Sequence, residues 1–236
     1  MNAEAFGRIG EAMKRYQTLL FDADRTLLDF DAAEKHALQH TFEKHQLPFN
    51  ETIEQAYMAM NQKLWKDYED GLIDRHTVIY TRFGKLFDQF GLSGDGVAFE
   101  DDYQAELGRG HQLIEHALDV VVNLKKTHDL YIVTNGVTAT QYSRLKKSGL
   151  DQHFKKLFVS EECGYQKPQK EYFDVVFQHI APVNKEEVLI IGDSLSSDIL
   201  GGINAGIHTC WFNPKKERND KQLRIDHEIR DLRESL

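Results

Sequence analysis

Cysteine is scarce in this chain of 236 residues: Cys163 and Cys210 are the only two. That is too few for a disulfide framework or a four-cysteine metal site. They read as reduced thiols, Cys210 inside a strand and Cys163 in a loop, which fits a cytoplasmic protein. Long apolar runs are missing as well. None approaches the ~18–20 residues of a membrane span, so no membrane is expected as a partner. The opening MNAEAFGRIGEAMKRY has no continuous apolar stretch and hence no secretory signal. It reads as a frayed leader before a first strand near Gln17, with Met13 as an alternative start. Clustered positive charge is lacking too. The net charge of −9 argues against a nucleic-acid polymer, which needs grouped Lys and Arg. A small anionic substrate remains open if the site supplies its own positive charge. Internal repeats and low-complexity tracts are not seen.

What is present is an ordinary globular composition, 41% hydrophobic and 28% charged, well away from the disordered class. Short apolar runs, YQTLLFDA 16–23, DLYIVTN 129–135, KLFVSEE 156–162, EVLIIGD 187–193 and HTCWFN 208–213, alternate with helix-length segments at 137–150, 167–180 and 196–206. Near-continuous apolar strands separated by helices predict a Rossmann-like parallel α/β sheet with helices on both faces. Right-handed crossovers then put every strand's C-terminal end on one edge. A last short strand is expected at DHEI. The rhythm breaks between 31 and 110, where only helical patterning is found, with Asp31 as an N-cap candidate. The spacing predicts a core domain from 1–30 and 111–236, with an all-helical domain at 31–110 inserted into it.

Polar clusters end the strands. Asp22-Ala23-Asp24-Arg25-Thr26 follows the first, Thr134-Asn135-Gly136 the second, Gly164 to Pro168 the third, and Gly192-Asp193-Ser194 the fourth, with Asp198 five residues after Asp193. Ligands bind outside the carboxyl ends of such strands. Singly, each cluster has a plainer reading: an aspartate as a helix N-cap, Thr134-Asn135 as a turn, Lys167 as a surface lysine. Together they do not, because Asp22, Asp24 and Asp193 on one edge repel unless a cation sits among them. Carboxylates with no nearby His or Cys favour Mg²⁺ over zinc, with Mn²⁺ able to substitute. Asp22 is then a nucleophile toward phosphorus. Asp24, two residues on and on the same side of an extended segment, is the general acid and base. Lys167 neutralises Asp22 and the phosphoryl oxygens, while Thr134 and backbone N–H groups, Asn135 among them, bind those oxygens. The ion's ligands are Asp22, Asp193 and the Asp24 carbonyl, with Asp198 orienting its waters or Lys167.

The order DADRT, TNG, GYQKP and GDSLSSD resembles the haloacid dehalogenase superfamily, whose phosphatases carry DxDxT, a Thr or Ser, a Lys and GDxxxxD. The helical insertion looks like that superfamily's C1 cap, which closes over the active site. IVTNGVTATQYSRLKKSGL, SEECGYQKPQKEYFD, GDSLSSDILGGINAGIHTCWFN and LWKDYEDG are similar to the pyrimidine 5′-nucleotidase branch. That likeness implies hydrolysis of nucleoside monophosphates such as UMP, dUMP or dTMP by a monomer or homodimer. Arg25 departs from the superfamily's frequent glycine, so it either keeps an ordinary backbone or bears strain. Its side chain either pairs with an acid along the cap or reaches substrate. Trp65, Tyr68 and Phe30 are candidates to stack on a base, Trp65 and Tyr68 otherwise being cap core. His36, His40, His45 and His76 show no ligand spacing. Two other readings stay open: a sugar-phosphate phosphatase or phosphomutase on the same scaffold, and a phospho-accepting switch domain. A dehalogenase needs neither Asp24 nor Asp193.

Overall fold

The computed structural model describes residues 10–236. Most of the expected leader, 1–9, lies outside them. Its last part is not frayed: Met13 and Tyr16 are buried in the core beside Leu19 and Val121. Among the described residues, six strands form one sheet: β1 Thr18–Phe21, β2 Asp129–Thr134, β3 Lys156–Val159, β4 Val188–Gly192, β5 His208–Phe212 and β6 His227–Ile229. All pairs are parallel, in the order β3-β2-β1-β4-β5-β6. The chain therefore builds one side of β1 and then the other, and the reversal lies between β1 and β4. That is the switch point where open parallel sheets hold ligands.

The apolar runs explain the sheet. Leu19, Phe21, Ile132, Leu189 and Ile191 enter one core layer, while Leu20, Tyr131, Val133, Val188 and Ile190 enter the other. Successive side chains of a strand point to opposite faces, so both faces must be covered. Phe21 stands opposite Ile191, and Asp22 N donates to Ile191 O at 2.9 Å. The register thus brings the first residues beyond β1 and β4 together.

The chain forms two compact units, one of residues through Phe30 with His111–Leu236, the other Asp31–Gly110. Within the first, the departing and returning segments run side by side: Leu28 bridges Leu113, Asp29 N donates to Gln112 O and Ile114 N to Leu27 O, both at 2.9 Å. The second unit takes in four helices, α1 Phe30–Lys44, α2 Glu51–Glu69, α3 Arg75–Phe90 and α4 Gly96–Leu107. Asn50, Asp74 and Asp95 cap the last three. Asp31 lies in the first turn of α1, one residue inside it, rather than at its N-cap.

Each helix of this unit contributes one buried polar residue to a single chain of bonds. Asn61 donates to Glu34 at 2.8 Å, Arg82 donates to Asn61 at 2.7 Å, and Arg82 grips both oxygens of Glu100 at 2.7 and 2.6 Å. Removing one member of a buried pair strands the other's charge. Arg82→Ala is expected to destabilise the protein by about 3–5 kcal/mol, read as a lower urea midpoint. Arg82→Met combined with Glu100→Leu is expected to cost far less. Equal losses in the two variants would refute this account of the network.

No helix among the described residues is long and apolar enough to cross a membrane.

Candidate active site

The site's centre is a lysine without water. Lys167 is 1% exposed, and its Nζ donates to Asp22 Oδ1 at 2.7 Å, Asp198 Oδ1 at 2.6 Å and Val133 O at 2.8 Å. Its three N–H bonds are thereby satisfied. Burial by itself would lower the lysine's pKa, but Asp198 and Asp22 hold it above the ordinary range. The residue sits just before helix α8, Lys170–His179, counting α5 Ala117–Leu124, α6 Thr138–Ser148 and α7 Ser160–Cys163 ahead of it. Asn135 fixes the lysine's backbone: Lys167 N donates to Asn135 Oδ1, and Asn135 Nδ2 to Lys167 O, both at 2.9 Å. The Asn135 side chain is therefore spent on positioning Lys167. The phosphate role expected of Asn135 belongs to its backbone N–H and not to this side chain.

Asp22, Asp193 and Asp198 place carboxylate oxygens within 4.8 Å of one another. Asp198 belongs to a π-helical turn, Leu195–Ile199, and its Oδ2 accepts from Ser194 N at 3.1 Å. Gly192 makes this possible, since a Cβ there would lie 2.3 Å from Asp198 Oδ2. Trp211 Nε1 holds the Asp193 carbonyl at 2.8 Å. Burial pushes the Asp22 carboxyl up to about 7, opposed by Lys167 and assisted by Asp198 and Asp24. Asp193 rises well above the carboxylate range, by burial first and then by Asp22 and Asp198, with Arg25 opposing. With all three ionised, the carboxylates would leave an excess of two negative charges around one ammonium, which is why burial and mutual repulsion favour their neutral forms when no cation is bound. A hard divalent cation with oxygen ligands fits that donor set.

Asp24 turns elsewhere. Its Oδ2 accepts from Gln141 Nε2 at 2.9 Å and its Oδ1 from the Arg144 guanidinium, both donors carried by α6. Gln141 Nε2 also reaches Thr134 Oγ1 at 2.7 Å, and Gly136 N donates to that hydroxyl at 3.1 Å. With two donors on its oxygen, the Thr134 hydroxyl keeps its proton to give away. Thr26 Oγ1 donates to Asp22 Oδ2 at 3.3 Å. Gln141, Arg144 and Thr26 were not singled out as functional residues from sequence. The spacing of Gln141 to the apolar Leu145, four residues on, was the available signal that it faces inward.

Arg25 bears the strain: its φ is +60°, a left-handed conformation costing roughly 1–2 kcal/mol outside glycine. Its guanidinium lies over the Phe30 ring at 4.7 Å, and Arg144 stands 5.5 Å from the same ring. Phe30 thus packs against two cations. Trp65 and Tyr68 lie on α2 in the helical unit, edge to face at 5.8 Å, with Tyr68 buried. His36 and His40 are ring neighbours at 4.1 Å on α1.

An open parallel sheet with a carboxylate cluster and a buried lysine at its switch point defines an α/β enzyme with an acidic, cation-accepting centre. The chain belongs to the haloacid dehalogenase-like hydrolases, whose family model matches residues 19–212. It is 49% identical over 222 residues to YfnB of Bacillus subtilis, described as an HAD-hydrolase, covering 94% of each chain. The magnesium-bound crystal structure of YfnB superposes with a TM-score of 0.89, covering 93% of this chain and 96% of that one. Identity to the pyrimidine 5′-nucleotidase PynA of Streptococcus pneumoniae is 41%, covering 91% of each chain. For the pyrimidine 5′-nucleotidase YjjG of Escherichia coli it is 33%, covering 84% of this chain and 87% of that one.

Protons would compete with a divalent ion for these carboxylates. Asp22 titrates near 7 in the fold against an ordinary 3.8. Without metal, the folded protein therefore binds more protons than the unfolded chain between about pH 4 and 7, and this group's stabilising contribution falls as pH rises through that window. Added Mg²⁺ is expected to raise Tm by more at pH 8 than at pH 5, and Asp193→Asn to remove most of that rise. A Mg²⁺ effect that is flat with pH, or intact in Asp193→Asn, would contradict the placement of the ion.

Proposed function

We propose that this protein is a Mg²⁺-dependent phosphomonoester hydrolase acting on nucleoside 5′-monophosphates, pyrimidines preferred, through an aspartyl-phosphate on Asp22. The observation carrying the chemistry is the Lys167 clamp. It fixes Asp22 Oδ1 and leaves Oδ2 with the longer 3.3 Å bond to Thr26, so this second oxygen is the one suited to attack. Asp22 forms a bond to phosphorus as the bond to the leaving oxygen breaks, and Asp24 gives that oxygen its proton. Asp24 then takes a proton from water, whose oxygen attacks the aspartyl-phosphate and restores the Asp22 carboxylate as phosphate leaves. Thr134 offers a phosphoryl oxygen a fixed donor, which stabilises developing charge without reorganising, while Lys167, its three N–H bonds made within the protein, contributes through its charge. Asp22, Asp193 and the Asp24 carbonyl would hold the ion, with Asp198 behind them. When bound, the ion offsets the carboxylates' repulsion of the anionic substrate.

Pyrimidine nucleotides such as UMP, dUMP and dTMP are favoured by the identity to PynA and YjjG. The core groups would meet only phosphate, ion and attacking atoms, so the candidates for base selection are Phe30 and Arg25 in the core unit and Trp65 and Tyr68 in the helical unit. A phosphate-release panel of all nucleoside monophosphates and common sugar phosphates, with Mg²⁺ present, tests the assignment. Pyrimidine nucleotides are expected to lead in kcat/KM, EDTA to silence the enzyme, and Asp22→Asn to abolish turnover with the fold retained. Sugar phosphates leading the panel would redirect the substrate assignment, and full activity in EDTA would end the metal reading.

A further inference from the structure

Asp22 and Asp24 leave the same strand tip with different partners. Asp24 is held through both oxygens from α6, by Gln141 Nε2 on Oδ2 and the Arg144 guanidinium on Oδ1. Gln141 and Arg144 stand three residues apart, on one helical face. Both are buried, Arg144 completely, while Lys146 and Lys147 of the same helix are exposed. The two donors also adjoin each other, with Arg144 Nη1 3.3 Å from Gln141 Oε1. Gln141 Nε2 ties Asp24 to the Thr134 hydroxyl at 2.7 Å. Gly136 leaves room for that reach, because a Cβ there would come within 2.6 Å of Gln141 Nε2.

We infer that Arg144 and Gln141 are positioning residues that set the Asp24 carboxylate for proton transfer to the leaving oxygen. The inference rests on the reading of Asp24 as the proton carrier. A buried guanidinium is costly unless it meets a charge with good geometry, and here that charge is Asp24. A carboxylate on a single methylene rotates freely unless it is tied. The two donors take two of its roughly four acceptor sites and leave the rest for a substrate oxygen or a water. This repeats the logic by which a group doing proton work is oriented by a third. Gln141 adds a coupling, since one amide nitrogen serves the proton carrier and Thr134 together.

The test separates positioning from structural support by leaving-group dependence. Phenyl phosphate expels a basic oxygen that needs a proton, and p-nitrophenyl phosphate one that does not. Values of kcat/KM report only the steps through formation of the aspartyl-phosphate. Asp24→Asn is the reference and is expected to lose ~10²–10⁴-fold on phenyl phosphate and far less on p-nitrophenyl phosphate. Arg144→Met and Gln141→Met are expected to show the same split at ~10-fold or more, with Arg144→Lys recovering part of it. Should Arg144→Met fail to fold by circular dichroism, Arg144→Lys and Gln141→Met carry the test. Equal losses on both substrates, or none, in these variants overturn the inference while Asp24→Asn keeps its split. If Asp24→Asn itself shows no split, the reading of Asp24 as proton carrier falls, and this inference with it.

Discussion

The ammonium of Lys167 is the interaction on which the site depends, and its position is unfavourable unless several distant pieces of chain agree. It is removed from water, so its charge must be met by oxygens that are already in place. Those oxygens come from beyond β1 (Asp22), from β2 (Val133) and from the turn after β4 (Asp198). Loss of any one leaves a buried donor unmet. The lysine therefore ties three strand ends into one arrangement, and the parallel register around β1 is what brings them within reach. Neutralisation is incomplete, because Asp193 has no ammonium of its own. Burial and its neighbours' charge both work against its ionised form, and that imbalance is the physical argument for a cation.

How much of this was legible follows from what each residue had to do. The central strands β1, β2 and β4 were readable because they are covered on both faces and so carry near-continuous apolar runs. Asp22, Asp193 and Lys167 stood out together, because the fold brings them to one edge of the sheet, where separate capping or surface roles do not explain the conjunction. Gln141 and Arg144 lacked that contrast. They lie in a helix dense with polar side chains, and a buried arginine reads like the exposed Lys146 beside it. Helix α4 falls within the stretch expected to be helical, but the buried charge of Glu100 beside its inward stripe of Phe99, Tyr103 and Leu107 was not legible. Asn135 entered the sequence reading only for its backbone N–H, and nothing in its neighbours' identities pointed to a role for its side chain. Only the loop geometry directs its amide to the backbone of Lys167. Asp31 is a one-residue boundary shift, within the usual fraying of helix ends.

The helical unit answers the same electrostatic demand differently. Glu34, Asn61, Arg82 and Glu100 come one from each helix, and their bonds close only when all four helices are in register. An apolar set of similar volume could pack as tightly, but it would tolerate sliding of one helix along another. Directional bonds do not, because a helix displaced by one turn, 5.4 Å, carries its donor out of range. This makes the network a determinant of which packing forms, and less a source of net stability.

Of the non-glycine residues with left-handed backbone, Arg25, Gln46, His116, Lys216 and Gln222, Arg25 is the one in the loop that follows β1. Arg25 holds φ +60° between the two aspartates and Thr26, and glycine would adopt that turn without penalty. What the arginine adds is charge: it lowers the Asp193 pKa and covers the Phe30 ring. In a chain of net charge −9, an anionic substrate approaches against a repulsive field unless the rim of the site is locally positive. Arg25 is exposed at that rim. The backbone penalty is thus matched by an electrostatic gain that glycine could not provide. In the proposed mechanism the same short loop thereby serves three separate ends: Asp22 for attack, Asp24 for proton transfer and Arg25 for charge.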